Sequence, residues 1–190
     1  ILKYKRLSIL PKFVSVFKSK LKIMHDLIDF VYRSTSLSLS AFEKVESDSL
    51  ELLQDSGSTI AVKNLQLIRL QKIFLAIGMF SYFESFLQGL LPCGGGFNEA
   101  INILKKKNLY EIEERFNNYI KAINVLKHGR GSSYDYLVSR SHKLPFRIKI
   151  ENESFFFEGD VSEVITLIDV DDNFILDCAK VIEDVYEVIR

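Results

Sequence analysis

The sequence predicts a predominantly α-helical fold, a helical bundle with a small β-hairpin near the C-terminus. Apolar residues recur at spacings of three and four along most of the 190 residues, which is typical of amphipathic helices. Only three prolines and nine glycines interrupt these stretches. One short stretch late in the chain instead alternates apolar and basic residues, as strands do. This length suits a single domain, so we expect residues 1–190 to fold as one unit.

Two helical patterns come first. From Lys12 to about Ser34 the apolar residues follow one face of a helix. From Ser38 to Gln54 the pattern is again helical but more acidic, and the letters "DSGS" then break it.

The longest predicted helix runs from about Thr59 to Leu91. Its second half, "IFLAIGMFSYFESFLQGLL", carries a single formal charge, Glu84. A membrane span is one interpretation of such a segment. The charge near its middle and polar neighbours such as Ser81 favour the other, a central helix buried on most sides of a bundle. We therefore expect no membrane partner.

Three further helices are predicted after the "PCGGG" stretch that ends the long one. A short helix covers Phe97 to Lys107, and a longer one covers Tyr110 to Lys127 with an apolar face. Gly129 is well placed to cap that longer helix. The letters "SSYDYLV" predict a further short helix.

The late part of the chain predicts the hairpin and a closing helix. In "FRIKIENESFFFEG", Phe146, Ile148 and Ile150 alternate with basic residues, and "ENES" can form the turn, so we expect a hairpin over about residues 145–158. The segment "VSEVITLIDV" is ambiguous. A closing helix is expected over about residues 171–190, with Asp171 or Asp172 as its N-cap.

Composition limits the function classes. Twenty-five basic side chains balance 25 acidic ones, so there is no overall attraction to nucleic acid or anionic membrane, and any RNA contact must come from a local patch. The two cysteines, Cys93 and Cys178, do not make a disulfide framework, which favours a reducing cytoplasm. The first ten residues lack the apolar core and cleavage site of a signal peptide.

No pattern indicates a metal or a cofactor. Neither C-x-x-C nor H-x-x-x-H spacing occurs, so we expect no zinc site. The glycines Gly94 to Gly96 are not followed by G-K-S/T, as a phosphate loop requires. Asp169 and Asp171 have D-x-D spacing, but the glycine and the distal glutamate of a calcium loop are missing.

The residues that could carry chemistry lie in "AINVLKHGRG", from Ala122 to Gly131. If Tyr110 to Lys127 is helical, Asn124 and His128 lie one turn apart on one face. A compact polar, cationic corner would then comprise Lys121, Asn124, Lys127, His128 and Arg130. Such a corner could bind a phosphate, and a histidine there could act as general acid or base on a ribose hydroxyl, because histidine titrates near neutral pH.

A simpler interpretation of the same letters is a capped helix end. Basic residues at a helix C-terminus stabilise the helix dipole, and Gly129 ends the helix. The local sequence alone favours this second interpretation, because such helix ends are common.

A family resemblance adds weight to the first interpretation. A buried helix with "FSYFESFLQGLL", a shorter helix, and a helix ending in "INVLKHGRG" follow in that order. This order resembles HEPN domains, all-α bundles of bacterial toxin, defence and RNA-processing systems. Glu84 matches the family's glutamate within an apolar run, while Asn124 and His128 match the polar positions of the later helix. Ile123 stands where the family usually has arginine.

The resemblance covers about Leu65 to Leu137, and we expect a HEPN-like core over about residues 59–139. It implies a metal-independent ribonuclease that acts as a homodimer in a defence or toxin–antitoxin system. His128 would be the general acid/base, Asn124 would orient the site, and Glu84 would pair with a cation or hold the histidine. The phosphate contacts would come from Lys121, Lys127 or Arg130.

The missing arginine supports an alternative. That arginine would hold phosphate or stabilise its developing charge, and lysine lacks the planar fork that arginine offers. Many HEPN-like domains are non-catalytic, so the alternative is a binding or assembly module that contacts RNA or a protein partner.

Overall fold

The computed structural model describes the backbone of residues 10–190 and the side chains of residues 27–190 other than that of Cys93. Over these residues the chain is 74% helical, which confirms the predominantly α-helical class. The helices are α1 (Leu10–Asp55), α2 (Thr59–Leu90), α3 (Gly96–Lys106), α4 (Tyr110–His128), α5 (Ser132–Val138) and α6 (Asp172–Ile189). Two short 3₁₀-helices, Pro92–Gly94 and Ser141–Lys143, precede α3 and follow α5.

The first two predicted helices form one continuous helix, α1. Thr35, between the two predicted segments, is buried, and its Oγ1 lies 3.4 Å from the Sδ of Met79 on α2. This contact with α2 holds the serine-rich stretch in the helix, so α1 does not break there. A three-residue connection joins α1 to α2, so the two helices form an antiparallel pair.

Helix α2 is central and contacts α1, α3, α4 and α6. Its N-terminus is capped by Ser58, whose side chain accepts a hydrogen bond from the backbone N–H of Ala61. By length and composition α2 could cross a membrane, and 33% of its most apolar window is buried within the protein. The prediction that this helix is buried on most sides is wrong, because its residues Leu67, Phe74 and Tyr82 are exposed.

Aromatic rings from α2, α3 and α4 form the centre of the core. Phe97 and Phe116 meet edge to face, with ring centroids 5.3 Å apart and an interplanar angle of 89°. Phe80 contacts both Phe97 and Tyr119. Such pairs add to the free energy gained by burial. These contacts hold α4 firmly against α2 and α3.

The predicted hairpin over residues 145–158 is wrong. Ile148 instead forms an isolated antiparallel bridge with Ile168, in the segment whose structure the sequence left ambiguous. Lys149, next to Ile148, has other partners: its carbonyl accepts a hydrogen bond from Tyr134 Oη at 2.9 Å, and its side-chain Nζ pairs with Glu163. These contacts connect distant residues, and no strand is present among residues 10–190.

The predicted ends of α4 and α6 are confirmed. Asp171 caps α6, since its Oδ1 accepts a hydrogen bond of 2.8 Å from the backbone N–H of Phe174. Gly129 follows the last residue of α4 and donates its backbone N–H to the carbonyl of Val125 at 2.8 Å.

Candidate functional site

The C-terminal end of α4 carries most of the predicted site. Gly129 has φ 75° and ψ −141°, a conformation that glycine adopts far more readily than other residues. The chain therefore leaves the helix directly after His128. After a three-residue connection, α5 begins at Ser132 and contacts α4.

A cavity of 260 Å³ lies between α2, α3 and α4. It contains four of the six predicted site residues, Glu84 from α2 and Lys121, Asn124 and Lys127 from α4. The remaining lining residues are Phe80, Ser81, Gly95, Phe97, Asn98, Ile101, Asn117, Ile120 and Ile123. Residues from three separate helices therefore line one cavity.

His128 and Arg130 lie outside this cavity. His128 is exposed at the end of α4, one turn beyond Asn124, and within the described part of the chain no hydrogen bond engages its ring. Arg130 is exposed, and its guanidinium lies 5.6 Å from the centroid of the Tyr134 ring on α5. The structure therefore does not place Arg130 in the position of the arginine that the resemblance lacks.

The cavity combines charges of both signs. Glu84 is partly buried, and no cation of the described residues lies within 4.0 Å of its carboxylate. The N-terminus of α3 packs closely beside it: a Cβ built on Gly96 would lie 3.4 Å from Glu84 Cγ. The partial positive charge of a helix N-terminus favours a carboxylate there. Lys121 and Lys127 of α4 also line the cavity and are its basic residues.

Three residues that the sequence analysis missed extend this polar surface towards α5. Asn117 Nδ2 donates to Tyr136 Oη at 3.1 Å. The guanidinium of Arg140 lies 4.8 Å from the centroid of the Tyr136 ring, and Lys121 Nζ lies 5.9 Å from it. Arg140 also pairs with Glu114 at 3.2 Å. The i, i+4 spacing of Tyr136 and Arg140 was the signal in the sequence that could have indicated the contact between these two side chains.

A second region with charged residues lies between α1, α2 and residues 159–171, in two neighbouring cavities of 370 and 200 Å³. Its cations are already paired: Arg69 with Asp160 at 2.5 Å, and Lys72 with Asp172 at 2.7 Å. Burial alone would raise the pKa of Asp160, but hydrogen bonds from Ser162 and Arg69 lower that pKa below its ordinary value. These pairs join α2 to the late part of the chain.

The described side chains contain no group of three His, Cys, Asp or Glu residues placed to hold a metal ion. No family model matches the chain, and no curated protein or solved structure is significantly similar to it. The cavity and the end of α4 are therefore the features of the protein that bear on its function.

Proposed function

We propose that the chain is a HEPN-like protein of a bacterial defence or toxin–antitoxin system that binds RNA and cleaves it without a metal ion. One observation carries the proposal: Glu84, Lys121, Asn124 and Lys127 line one cavity. Lys127 is followed directly by His128, which is exposed to solvent at the end of the same helix. A phosphate held by the two lysines would lie close to a histidine able to move a proton.

The reaction that fits these groups is attack by a ribose 2′-oxygen on the neighbouring phosphorus. His128 takes the proton of the 2′-hydroxyl as the new O–P bond forms, and the bond to the 5′-oxygen breaks. The leaving oxygen takes up a proton, giving a 2′,3′-cyclic phosphate and a free 5′-hydroxyl. Lys121 and Lys127 offset the charge that develops on the phosphate oxygens.

A non-catalytic RNA-binding or assembly module is the second candidate. Ile123, at the position of the family's arginine, is only 4% exposed and lines the cavity as an apolar wall. Arg130 lies against Tyr134 and not in the cavity. Without an arginine fork the cavity is better suited to binding a phosphate than to stabilising a charged transition state.

The proposal includes a homodimer formed through the apolar face of α1 and α2, which comprises Phe30, Leu67, Phe74, Gly78 and Tyr82. A shallow groove of 460 Å³ lies on this face, and its three aromatic side chains are more than half exposed. Gly78, which has open space beyond its Cα, would allow a second helix to approach closely. Ser81, which lines the site cavity, directly precedes Tyr82 of this face in the chain.

A second copy fits this face better than a membrane does. Lys72 of α2 is only 8% exposed and pairs with Asp172 at 2.7 Å, which joins α2 to α6 through a charged contact. Glu84, near the middle of the apolar stretch of α2, is a charged group that would be costly within a membrane. We therefore expect the protein to remain in solution as a dimer in the cytoplasm.

RNA cleavage in EDTA by the purified protein tests the proposed function. The variants are His128→Ala and Arg130→Ala, with His142→Ala as a control because His142 is exposed in the Ser141–Lys143 turn outside the cavity. We expect cleavage by the wild type, a loss of about 10²- to 10⁴-fold in His128→Ala, and no change in the control. RNA binding without cleavage would support the binding module. A wild type that neither binds nor cleaves any RNA would refute both the ribonuclease and the RNA-binding module.

A further inference from the structure

The site cavity has the size and walls of a pocket for one nucleotide. Its volume of 260 Å³ lies just below the range of about 300–1,000 Å³ typical of pockets for drug-sized ligands. Phe97, partly buried at the start of α3, gives it an aromatic wall. Bases of single-stranded RNA commonly stack on such rings. A single base with its ribose therefore fits this space.

The polar groups that line the cavity include both hydrogen-bond acceptors and hydrogen-bond donors. Glu84 is an acceptor only, and no cation among the described residues neutralises it within 4.0 Å. Asn98 and Asn124 each add an amide that both donates and accepts. A partly buried carboxylate without a cation beside it favours a ligand that brings hydrogen-bond donors.

Guanine is the base that best satisfies a carboxylate. Its Watson–Crick edge has two adjacent donors, N1–H and the 2-amino group, which match the two oxygens of a carboxylate. Adenine and cytosine each place an acceptor next to their amino group, and uracil has a single N–H between two carbonyls. An asparagine amide can donate to guanine O6 or N7, as side-chain donors do in base recognition.

We propose that this cavity binds a guanine nucleotide, with Glu84 accepting hydrogen bonds from N1–H and the 2-amino group of the base. Lys121 and Lys127 then contact its phosphate from the α4 wall, next to His128. This inference rests on the proposed RNA-binding function and adds a base preference to it. The nucleotide can belong to an RNA chain or be free, and the experiment separates the two sources.

Binding measurements with uncleavable oligonucleotides test this inference. We would use fluorescence anisotropy with 2′-fluoro oligouridylates that carry one central guanine, adenine or cytosine, and compete them with guanosine or adenosine monophosphate. The variants are Glu84→Gln and, as a matched control, Glu111→Gln, which changes an exposed carboxylate in the first turn of α4. Circular dichroism would check that each variant folds as the wild type does.

We expect the wild type to bind the guanine oligonucleotide roughly 5- to 150-fold more tightly than the others, as for a bidentate base contact. Glu84→Gln should lose this preference for guanine, while Glu111→Gln should behave as the wild type. Binding of all the oligonucleotides with equal affinity, or a preference that survives in Glu84→Gln, would overturn the guanine inference and leave RNA binding intact.

Two other outcomes separate the inference from the function on which it rests. If only the guanosine monophosphate binds, and Glu84→Gln abolishes that binding, the guanine pocket stands with a free nucleotide as its ligand and the RNA function fails. If neither oligonucleotides nor nucleotides bind, both proposals are overturned.

Discussion

Lys149 Nζ lies 2.7 Å from Glu163 Oε1, and the two side chains are only 10% and 5% exposed. The ammonium also donates to the carbonyl of Ser154 at 3.0 Å, and Glu163 Oε2 accepts from the backbone N–H of Phe156 at 2.8 Å. This buried pair joins the segment predicted to be a hairpin to the following segment, whose structure the sequence left ambiguous. The segment is therefore held by side chains and by one backbone bridge, without a strand ladder.

Glu163→Gln should destabilise the protein strongly. The substitution leaves the buried ammonium of Lys149 without its countercharge, which costs about 3–5 kcal/mol when a buried pair is broken. Denaturant unfolding followed by circular dichroism measures this change. Lys149→Met combined with Glu163→Leu is the control, and it should cost less because no charge stays buried. A loss below about 1 kcal/mol for Glu163→Gln would show that the pair behaves as a solvated one.

The same pair predicts a pH dependence. Burial alone would raise the pKa of Glu163, but hydrogen bonds from Lys149 and from the backbone N–H groups of Phe156 and Phe157 lower that pKa below its usual 4.5. A carboxyl whose pKa is lower in the folded state stabilises the protein above the unfolded pKa and loses this effect as the pH falls. The stability difference between wild type and Glu163→Gln should therefore shrink as the pH falls below the ordinary glutamate pKa of 4.5. A difference that stays constant as the pH falls would contradict the assignment.

Local signals in the sequence were sufficient for most of the helices, although they predicted two helices where the structure has only α1. Asp171 and Gly129 mark the ends of α6 and α4, because a cap depends on residues within one turn. The prediction of a hairpin was wrong because the bridge partner of Ile148 is Ile168. A loop that is held by the Lys149–Glu163 pair lies between these two residues. The alternation of apolar residues is a local pattern, so it cannot predict a contact between side chains that are so far apart in the sequence.

For the candidate site too, local spacing could be predicted from the sequence, whereas contacts between distant residues could not. Helical spacing was enough to place Asn124 and His128 one turn apart on α4. Glu84 was assigned through the family resemblance, and its position in the cavity depends on how α2 packs against α4. The contact between Asn117 and Tyr136 depends on α5 returning to α4, which follows from the Gly129 conformation and not from any periodicity.

Gly129→Ala should destabilise the end of α4 for conformational reasons alone. An added Cβ meets no heavy atom within 4 Å, but φ 75° with ψ −141° is a conformation that alanine rarely adopts. The expected loss is about 1–3 kcal/mol, measured by thermal unfolding. Gly131→Ala is the matched control, since Gly131 has equally open surroundings and an extended backbone. Equal stability of the two variants would argue against strain at Gly129.

Cys178 should be unreactive in the folded protein. It is a free thiol with no exposed surface, and burial, with a further contribution from Asp177, raises its pKa well above the ordinary value. Thiols react as thiolates, so both effects slow labelling. In a Cys93→Ser variant the rate of reaction with Ellman's reagent should rise with denaturant in parallel with global unfolding. Rapid labelling under native conditions would show that the core opens locally around α6.

The apolar face of α1 and α2 gives the sharpest test of the homodimer. Phe74→Glu places a charge on a side chain that is 54% exposed, so it should leave the fold intact and disrupt pairing. Leu176→Glu is the control, because Leu176 is 47% exposed on α6, away from that face. In sedimentation equilibrium we expect a dimer for wild type and control, and a monomer for Phe74→Glu. A wild type that is monomeric in solution would overturn the dimer, and one that dissolves only in detergent would show that a membrane covers this face.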